Sequence, residues 1–404
     1  MLRVHIGLIG MIKMKNNLHD HLNQRLAECE NNLCIMDVLF DAELINAERS
    51  KLLYKTLKPI EKISLDKIEG MLLGVPIGDA LGNPLEGRAP NMERQELLTT
   101  YPPSAHITDD TQLTFWSLEI LLKEGWFNPQ SLANRFTQEW IIGIGKSIRL
   151  FIKNYKDLKK PWYLSGIESA GNGALMRLSP VVIPPLANPR HKTFSDSVVT
   201  TYLTHNDRLA ISSAVAFTNI LWALLERNKT PEPEWWIKQY VDVSREIEGD
   251  STTYRPRFGK FKHRYSGPAW EFIEKVLEMA LQEKWTLFEL NKVVGSGAYL
   301  LETIPTVLYT MMVYGDNPIN AISFAVLNTK DSDTVGAIVG YLVGALHGIK
   351  AFPKSLLNPI LDGDIMPRSF LNVALQVERG LMDKKNVVPN KTSFLNSWRE
   401  HNDG

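Results

Sequence analysis

Cysteine is almost absent: Cys29 and Cys34 are the only two in 404 residues. Two are too few for a disulfide framework or a four-thiolate zinc site, and the scarcity fits a reducing compartment, so the cytoplasm is the default. An excess of charge is also missing. The 45 Lys and Arg balance the 45 Asp and Glu, so no global field draws the chain to nucleic acid or to a membrane surface. Long apolar runs are lacking too. The opening Met1 to Lys13 superficially resembles a signal peptide, but His5 interrupts it and no small-x-small pattern precedes Asn16, so export is not expected. Met11 or Met14 is an alternative start. The other apolar stretch, 335–349, is shorter than the roughly 20 residues that cross a bilayer, and a soluble protein is expected.

Alternating strand patterns are scarce, and helical spacing prevails instead. Ile68, Met71, Leu72 and Val75 fall on one helical face, as do Leu113, Trp116 and Ile120. Similar stripes run through 210–225, 270–281 and 297–312, with long loops at 84–103, 154–185 and 252–268. The expected fold class is all-α, one large domain preceded by an extension. Residues 15–60 read as that extension. Leu22, Leu26, Cys29 and Leu33 suggest one amphipathic helix, 35–47 another, and 51–58 a basic connector. Such a segment either caps the main domain or serves as a docking arm for a protein partner. As an arm, it should be removable without disturbing the rest. Gly336, Gly340, Gly344 and Gly348 recur every fourth residue. Each weakens a helix by up to about 1 kcal/mol relative to alanine, so the row implies a close neighbouring helix.

Two acidic clusters carry the chemistry, Thr108-Asp109-Asp110-Thr111 and Asp331-Ser332-Asp333-Thr334, each directly before an apolar helical stretch. A cap needs only one oxygen. Two adjacent carboxylates repel unless a cation neutralises them, and carboxylates with hydroxyls, lacking clustered His or Cys, suit Mg²⁺, Mn²⁺ or Ca²⁺. The clusters therefore read either as helix caps or as a divalent, binuclear metal site. An EF-hand is excluded, because Val335 and Leu342 stand where that loop needs oxygen ligands.

With their neighbours, these clusters resemble a known family. The run Gly70-Met71-Leu72-Leu73-Gly74-Val75-Pro76-Ile77-Gly78-Asp79-Ala80-Leu81-Gly82-Asn83-Pro84-Leu85-Glu86, the first cluster, Gly171-Asn172-Gly173-Ala174-Leu175-Met176-Arg177, Thr204-His205 and the second cluster follow in the order of the ADP-ribosylglycohydrolases, relatives of dinitrogenase reductase-activating glycohydrolase. The similarity spans about residues 64 to 350. It implies a compact orthogonal helical bundle at 61–385, flanked by the extension 1–60 and a tail 386–404. It further implies two Mg²⁺ or Mn²⁺ ions, held by Thr108, Asp109 and Asp110 on one side and Asp331, Asp333 and Thr334 on the other. Glu86, Asp109 and Asp333 would be the catalytic carboxylates, with Asp79 structural or orienting. Gly171, Asn172 and Gly173 would let backbone approach a phosphate, Arg177 would pair with the diphosphate, and His205, opening a helix, would lie near the substrate. Tyr299 would stack on adenine or pack as a core or rim aromatic. One departure stands out. Thr329-Lys330 precedes the second cluster where the family usually has Gly-Gly, so these side chains would crowd or recharge the approach, Lys330 contacting a phosphate or competing with metal.

The resemblance implies removal of ADP-ribose from a modified protein side chain, with arginine linkage favoured over serine. A binding protein is the rival reading: an immunity-type member whose extension sequesters an ADP-ribosylating toxin, with or without hydrolysis. Basic residues Arg255, Arg257, Lys260, Lys262, His263 and Arg264 alternate with Tyr254, Phe258, Phe261 and Tyr265. That run reads as a solvated loop or as a rim that accepts an acidic modified protein; neither nucleic acid nor membrane is expected as a partner.

Overall fold

Helices carry nearly all the regular structure in the computed structural model, which describes residues 20–90, 96–382, 384 and 386–388. Those of ten residues or more are α1 (Asn32–Asp41), α2 (Leu65–Gly82), α3 (Asp109–Glu124), α4 (Thr193–Tyr202), α5 (Arg208–Glu226), α6 (Pro233–Glu248), α7 (Ala269–Gln282), α8 (Leu300–Tyr314), α9 (Pro318–Asn328), α10 (Ser332–His347) and α11 (Arg368–Met382). Among the described residues, β1 (Ile63–Ser64) and β2 (Val387–Val388) form one short parallel pair. The all-α expectation holds. The signal-like opening, residues 91–95 of the loop at 84–103, and residues 389–404 lie outside the described residues.

The centre of the bundle is the antiparallel pair α2 and α10, both buried along nearly their whole length. Helices apolar on every side belong in a core. The glycine row on α10 has a matching row on α2, Gly70, Gly74, Gly78 and Gly82. The backbones touch where the rows meet. A Cβ added at Gly74 would lie 2.1 Å from the Gly340 carbonyl oxygen, and one at Gly340 would lie 2.0 Å from that of Gly74. No side chain fits there, which explains glycine despite its cost to helix stability. Ser332 Oγ donates to the Gly82 carbonyl at 2.8 Å and fixes the register at the far end. The contact thus brings the C-terminal end of α2 to the N-terminal end of α10.

Helices α9 and α3 pack beside this pair, and α11 closes over α3, with Phe115 and Phe370 stacked at 5.3 Å. The α5 helix is, by length and composition, long and apolar enough to cross a membrane, yet 83% of its apolar window is buried in the bundle. A core helix has that composition too. Its start corrects one expectation: Asp207 caps α5, accepting from the amides of Leu209 and Ala210, so Thr204 and His205 lie in the preceding turn and do not open the helix.

The described part of the extension, residues 20–60, is woven into the core. Leu26, Ile35, Met36, Leu39, Leu53 and Leu57 are buried in the same apolar cluster as the bundle. Asn32 donates to the Phe127 carbonyl at 3.1 Å and to Asp196 of α4 at 2.8 Å, and Trp222 of α5 donates to the Lys58 carbonyl at 2.7 Å. The face of Leu26 and Ile35 is therefore turned inward, which favours the cap over the docking arm. Cys29 and Cys34 are joined as a disulfide across the turn before α1. That bond was not anticipated from the sequence. Val387 of the expected tail is also buried, held by its pairing with Ile63.

Candidate metal centre and its cavity

Three helix ends converge because of the glycine contact: the end of α2 with Asp79, the start of α3 with Asp109 and Asp110, and the start of α10 with Asp331 and Asp333. They open on a cavity of about 1280 Å³. Two groups of carboxylates form there. Oxygens of Asp79, Asp110 and Asp333 lie within 4.8 Å of one another, as do those of Glu86, Asp331 and Asp333. Asp333 belongs to both.

Asp79 organises the first group. Its carboxylate accepts from Thr108 Oγ1 at 2.8 Å, from the Thr108 amide at 2.8 Å, from Thr111 Oγ1 at 2.5 Å and from the Thr111 amide at 3.2 Å. So many donors fit an orienting carboxylate that ties the start of α3 to α2, although its oxygens also fall within ligand range. Thr108 Oγ1 and Thr334 Oγ1 reach Asp110 Oδ2 at 3.1 and 3.3 Å. Asp110 Oδ1 is buried without a hydrogen-bond partner. A buried, unpartnered carboxylate oxygen is costly, and together with this set of hard oxygen donors it fits a divalent cation. Asp109 lines the cavity beside Gly143, outside the two tight groups.

Electrostatics points the same way. Burial pushes Asp79 up to about 6, against its hydrogen bonds, and burial reinforced by Asp79 pushes Asp109 up to about 7. Burial and the Glu86 charge raise Asp331 to about 6 despite the Asn172 hydrogen bond, and burial and neighbouring carboxylates raise Asp110 and Asp333 well above the usual range. Clustered acids in a buried site resist ionising together; a divalent cation removes that resistance.

In the second group, Asn172 Nδ2 donates to Asp331 Oδ2 at 2.6 Å and to Thr303 Oγ1 at 3.0 Å. Its side chain orients a carboxylate, while the flanking Gly171 and Gly173 line the cavity. Glu86 lies just beyond α2, and its loop is tied to the second cluster by the Gly87 amide, which donates to the Lys330 carbonyl at 2.7 Å. His205 is buried and lines the cavity against Gly171 and Gly173, and burial reinforced by Arg177 depresses its pKa to about 3, so it is neutral.

Arg177 corrects its assigned role. It is buried, donating to the carbonyls of Gly173 and Thr200 and to Thr204 Oγ1 at 2.7 Å, with its guanidinium 5.4 Å from the Phe136 ring centroid. Three of its bonds are made within the fold, where a buried guanidinium finds its partners. It braces the Gly171–Gly173 turn and does not line the cavity. Tyr299 does line it, at the cap of α8, but the Arg257 guanidinium covers one ring face at 4.1 Å from the centroid. Thr329 also departs from expectation. Extended and buried, it turns its hydroxyl back to the Ala325 carbonyl at 2.8 Å, so it does not crowd the cavity, whereas the exposed Lys330 does line it. Sequence reasoning missed Glu302, a buried carboxylate that lines the cavity and accepts from the Gly297 amide at 2.7 Å. Its place in the first turn of α8 was the available signal, and that signal also describes an ordinary capping acid.

A family model described as ADP-ribosylglycohydrolase matches residues 61–384. The chain is similar to ADP-ribosylhydrolase ARH3 of Xenopus tropicalis, 26% identical over 321 residues, covering 72% of this chain and 89% of the relative. It is also similar to ADP-ribosylarginine hydrolase Tri1 of Pseudomonas putida, 24% identical over 330 residues and 76% of each chain. A solved ADP-ribosylglycohydrolase-related protein complex shares the fold, with a TM-score of 0.57 and 24% identity over 79% of this chain and 99% of that one.

Proposed function

The chain belongs to the ADP-ribosylglycohydrolase family, and on that premise we propose that it removes ADP-ribose from modified protein side chains, arginine linkages above all, with two divalent ions, Mg²⁺ or Mn²⁺. The observation that carries the reading is the sharing of Asp333 between two carboxylate groups, so that one side chain would serve two neighbouring cation sites. Asp110 and Asp333, with Thr334, would hold one; Glu86, Asp331 and Asp333 would hold the other. Such a pair polarises a glycosidic bond and lowers the pKa of a bound water.

The residues around it supply position and protons. Asn172 orients Asp331 by its amide, and Asp79 anchors Thr108 and Thr111 at the start of α3, beside Asp110. Thr204 Oγ1 accepts from Arg177 and shares a hydrogen bond with His205 Nδ1 at 2.8 Å, which turns Nε2 toward the Gly171–Gly173 turn. His205 would there meet the bound substrate as a neutral hydrogen-bonding group. Glu86, exposed at the mouth and within reach of Asp331 and Asp333, is placed to accept a proton from a water attacking the anomeric carbon. Preference for arginine rests on the resemblance and on the name of the Pseudomonas putida relative. The test is incubation of the purified chain with Mg²⁺ and two substrates, one modified on arginine and one on serine, with released ADP-ribose measured. Release from arginine, abolished by a chelator, is the expected result; release from neither substrate overturns the proposal.

A further inference from the structure

Four cationic side chains line the cavity, Lys146, Arg257, Lys292 and Lys330. Two of them converge on one buried group. The turn 295–299 runs between Lys330, whose amide donates to the Ser296 carbonyl at 3.1 Å, and Glu302, which accepts from the Gly297 amide at 2.7 Å. Gly295 in that turn packs so tightly on Glu302 and Phe258 that an added Cβ would lie 2.6 Å from Glu302 Oε2 and 3.0 Å from the Phe258 ring. Arg257, next to Phe258, is thus carried over Tyr299. Both Arg257 and Lys330 act electrostatically on the Glu302 carboxylate. Neither side chain makes a hydrogen bond or close ion pair among the described residues. One carboxylate against two cations leaves a positive excess on this wall, facing an acidic centre.

Arg177 is bonded inside the fold and His205 is neutral, so the charge available to meet an anion must come from elsewhere. We infer that Arg257 and Lys330 form a cationic bracket that binds the diphosphate of the ADP-ribosyl group. The inference rests on the proposed function. Lys330 adjoins Asp331 at the acidic end, where the ribose would be held, and Arg257 lies over Tyr299 in the same cavity. A diphosphate is the part of the substrate that carries charge between ribose and adenosine, and guanidinium and ammonium groups are its usual partners.

The test is calorimetric titration of the full-length chain with Mg²⁺ alone and then, at saturating Mg²⁺, with ADP-ribose, for the parent, Lys330→Ala, Arg257→Ala and Lys330→Arg. Each alanine variant should bind ADP-ribose roughly 10- to 100-fold more weakly, as for loss of a charge-assisted hydrogen bond. Mg²⁺ affinity should stay unchanged, and Lys330→Arg should retain most of the affinity for ADP-ribose. If the parent binds ADP-ribose and both alanine variants bind it equally well, the bracket is overturned while the proposed function stands. Weakened Mg²⁺ binding in either alanine variant also overturns it, since the side chain would then act on the acidic centre. Failure of the parent itself to bind ADP-ribose overturns the proposed function.

Discussion

Removing divalent metal should make this protein's stability fall as pH rises. Asp79 and Asp331 stand at about 6 and Asp109 at about 7, each above an ordinary aspartate. A carboxyl whose folded pKa is raised binds its proton more tightly in the folded state. Its contribution to stability is complete below the unfolded pKa and is lost as pH climbs through the folded value. The window is therefore pH 4 to 7, and between pH 5 and 8 each group costs about 1.4 kcal/mol for every pH unit up to its folded pKa. The groups repel one another and do not add, so a total on the order of 3 kcal/mol is the reasonable expectation. With an unfolding entropy of about 2.1 cal/mol/K per residue, that corresponds to a drop in Tm of roughly 3–4 °C for a chain of this length. Saturating Mg²⁺ should abolish the drop, and at 100 times its Kd should add about 2.7 kcal/mol. Differential scanning calorimetry at pH 5 and pH 8, with EDTA or Mg²⁺, measures both. A chelated protein that is as stable at pH 8 as at pH 5, or more so, would refute the electrostatic reading of the cluster.

Asp333→Asn removes the shared carboxylate and should weaken Mg²⁺ by more than the roughly 10- to 100-fold expected for Asn172→Ala, which removes only an orienting partner of Asp331; titration calorimetry of both variants gives the ranking, and an equal loss argues against sharing. Gly74→Ala should destabilise by at least the roughly 1–3 kcal/mol of ordinary overpacking, because its Cβ meets backbone, and should weaken Mg²⁺ as the helix ends part. Gly380→Ala, whose Cβ meets nothing within 4 Å, should instead stabilise by up to about 1 kcal/mol; thermal melts of the pair compare the two. Asn32→Ala should cost roughly 1–3 kcal/mol by stranding buried partners while Mg²⁺ affinity stays as in the parent, and deleting residues 1–60 should leave no cooperative thermal transition.

The parts of the site legible in the sequence were those whose function is written in adjacent residues. Asp109-Asp110 and Asp331-x-Asp333 exceed what caps require, and the structure does bring Asp333 into ligand range of Asp110 in one group and of Asp331 in the other. The glycine row on α10 announced a close helix, but its partner was hidden in plain view, since Gly70, Gly74, Gly78 and Gly82 read as part of a motif and not as a second row. Arg177 was misplaced for a physical reason. Contiguity with Gly171–Gly173 suggests a loop facing ligand, yet a guanidinium at that position finds the Gly173 and Thr200 carbonyls before it finds the cavity. Glu302 gave only the signal of an ordinary first-turn acid, because its importance depends on Lys330 and Arg257, which are near it only through the turn 295–299. The extension was ambiguous for a related reason: an apolar face at Leu26 and Ile35 fits a partner's surface or the chain's own, and only the long-range bonds of Asn32 and Trp222 decide between them. What the residue pattern leaves open in each case is the partner across space. In this fold that choice is made by one contact, the glycine-on-glycine approach of α2 and α10, which determines how far Asp79 stands from Asp333 and hence whether two carboxylate groups can share a member. A substitution in that contact acts on the chemistry from outside the cavity.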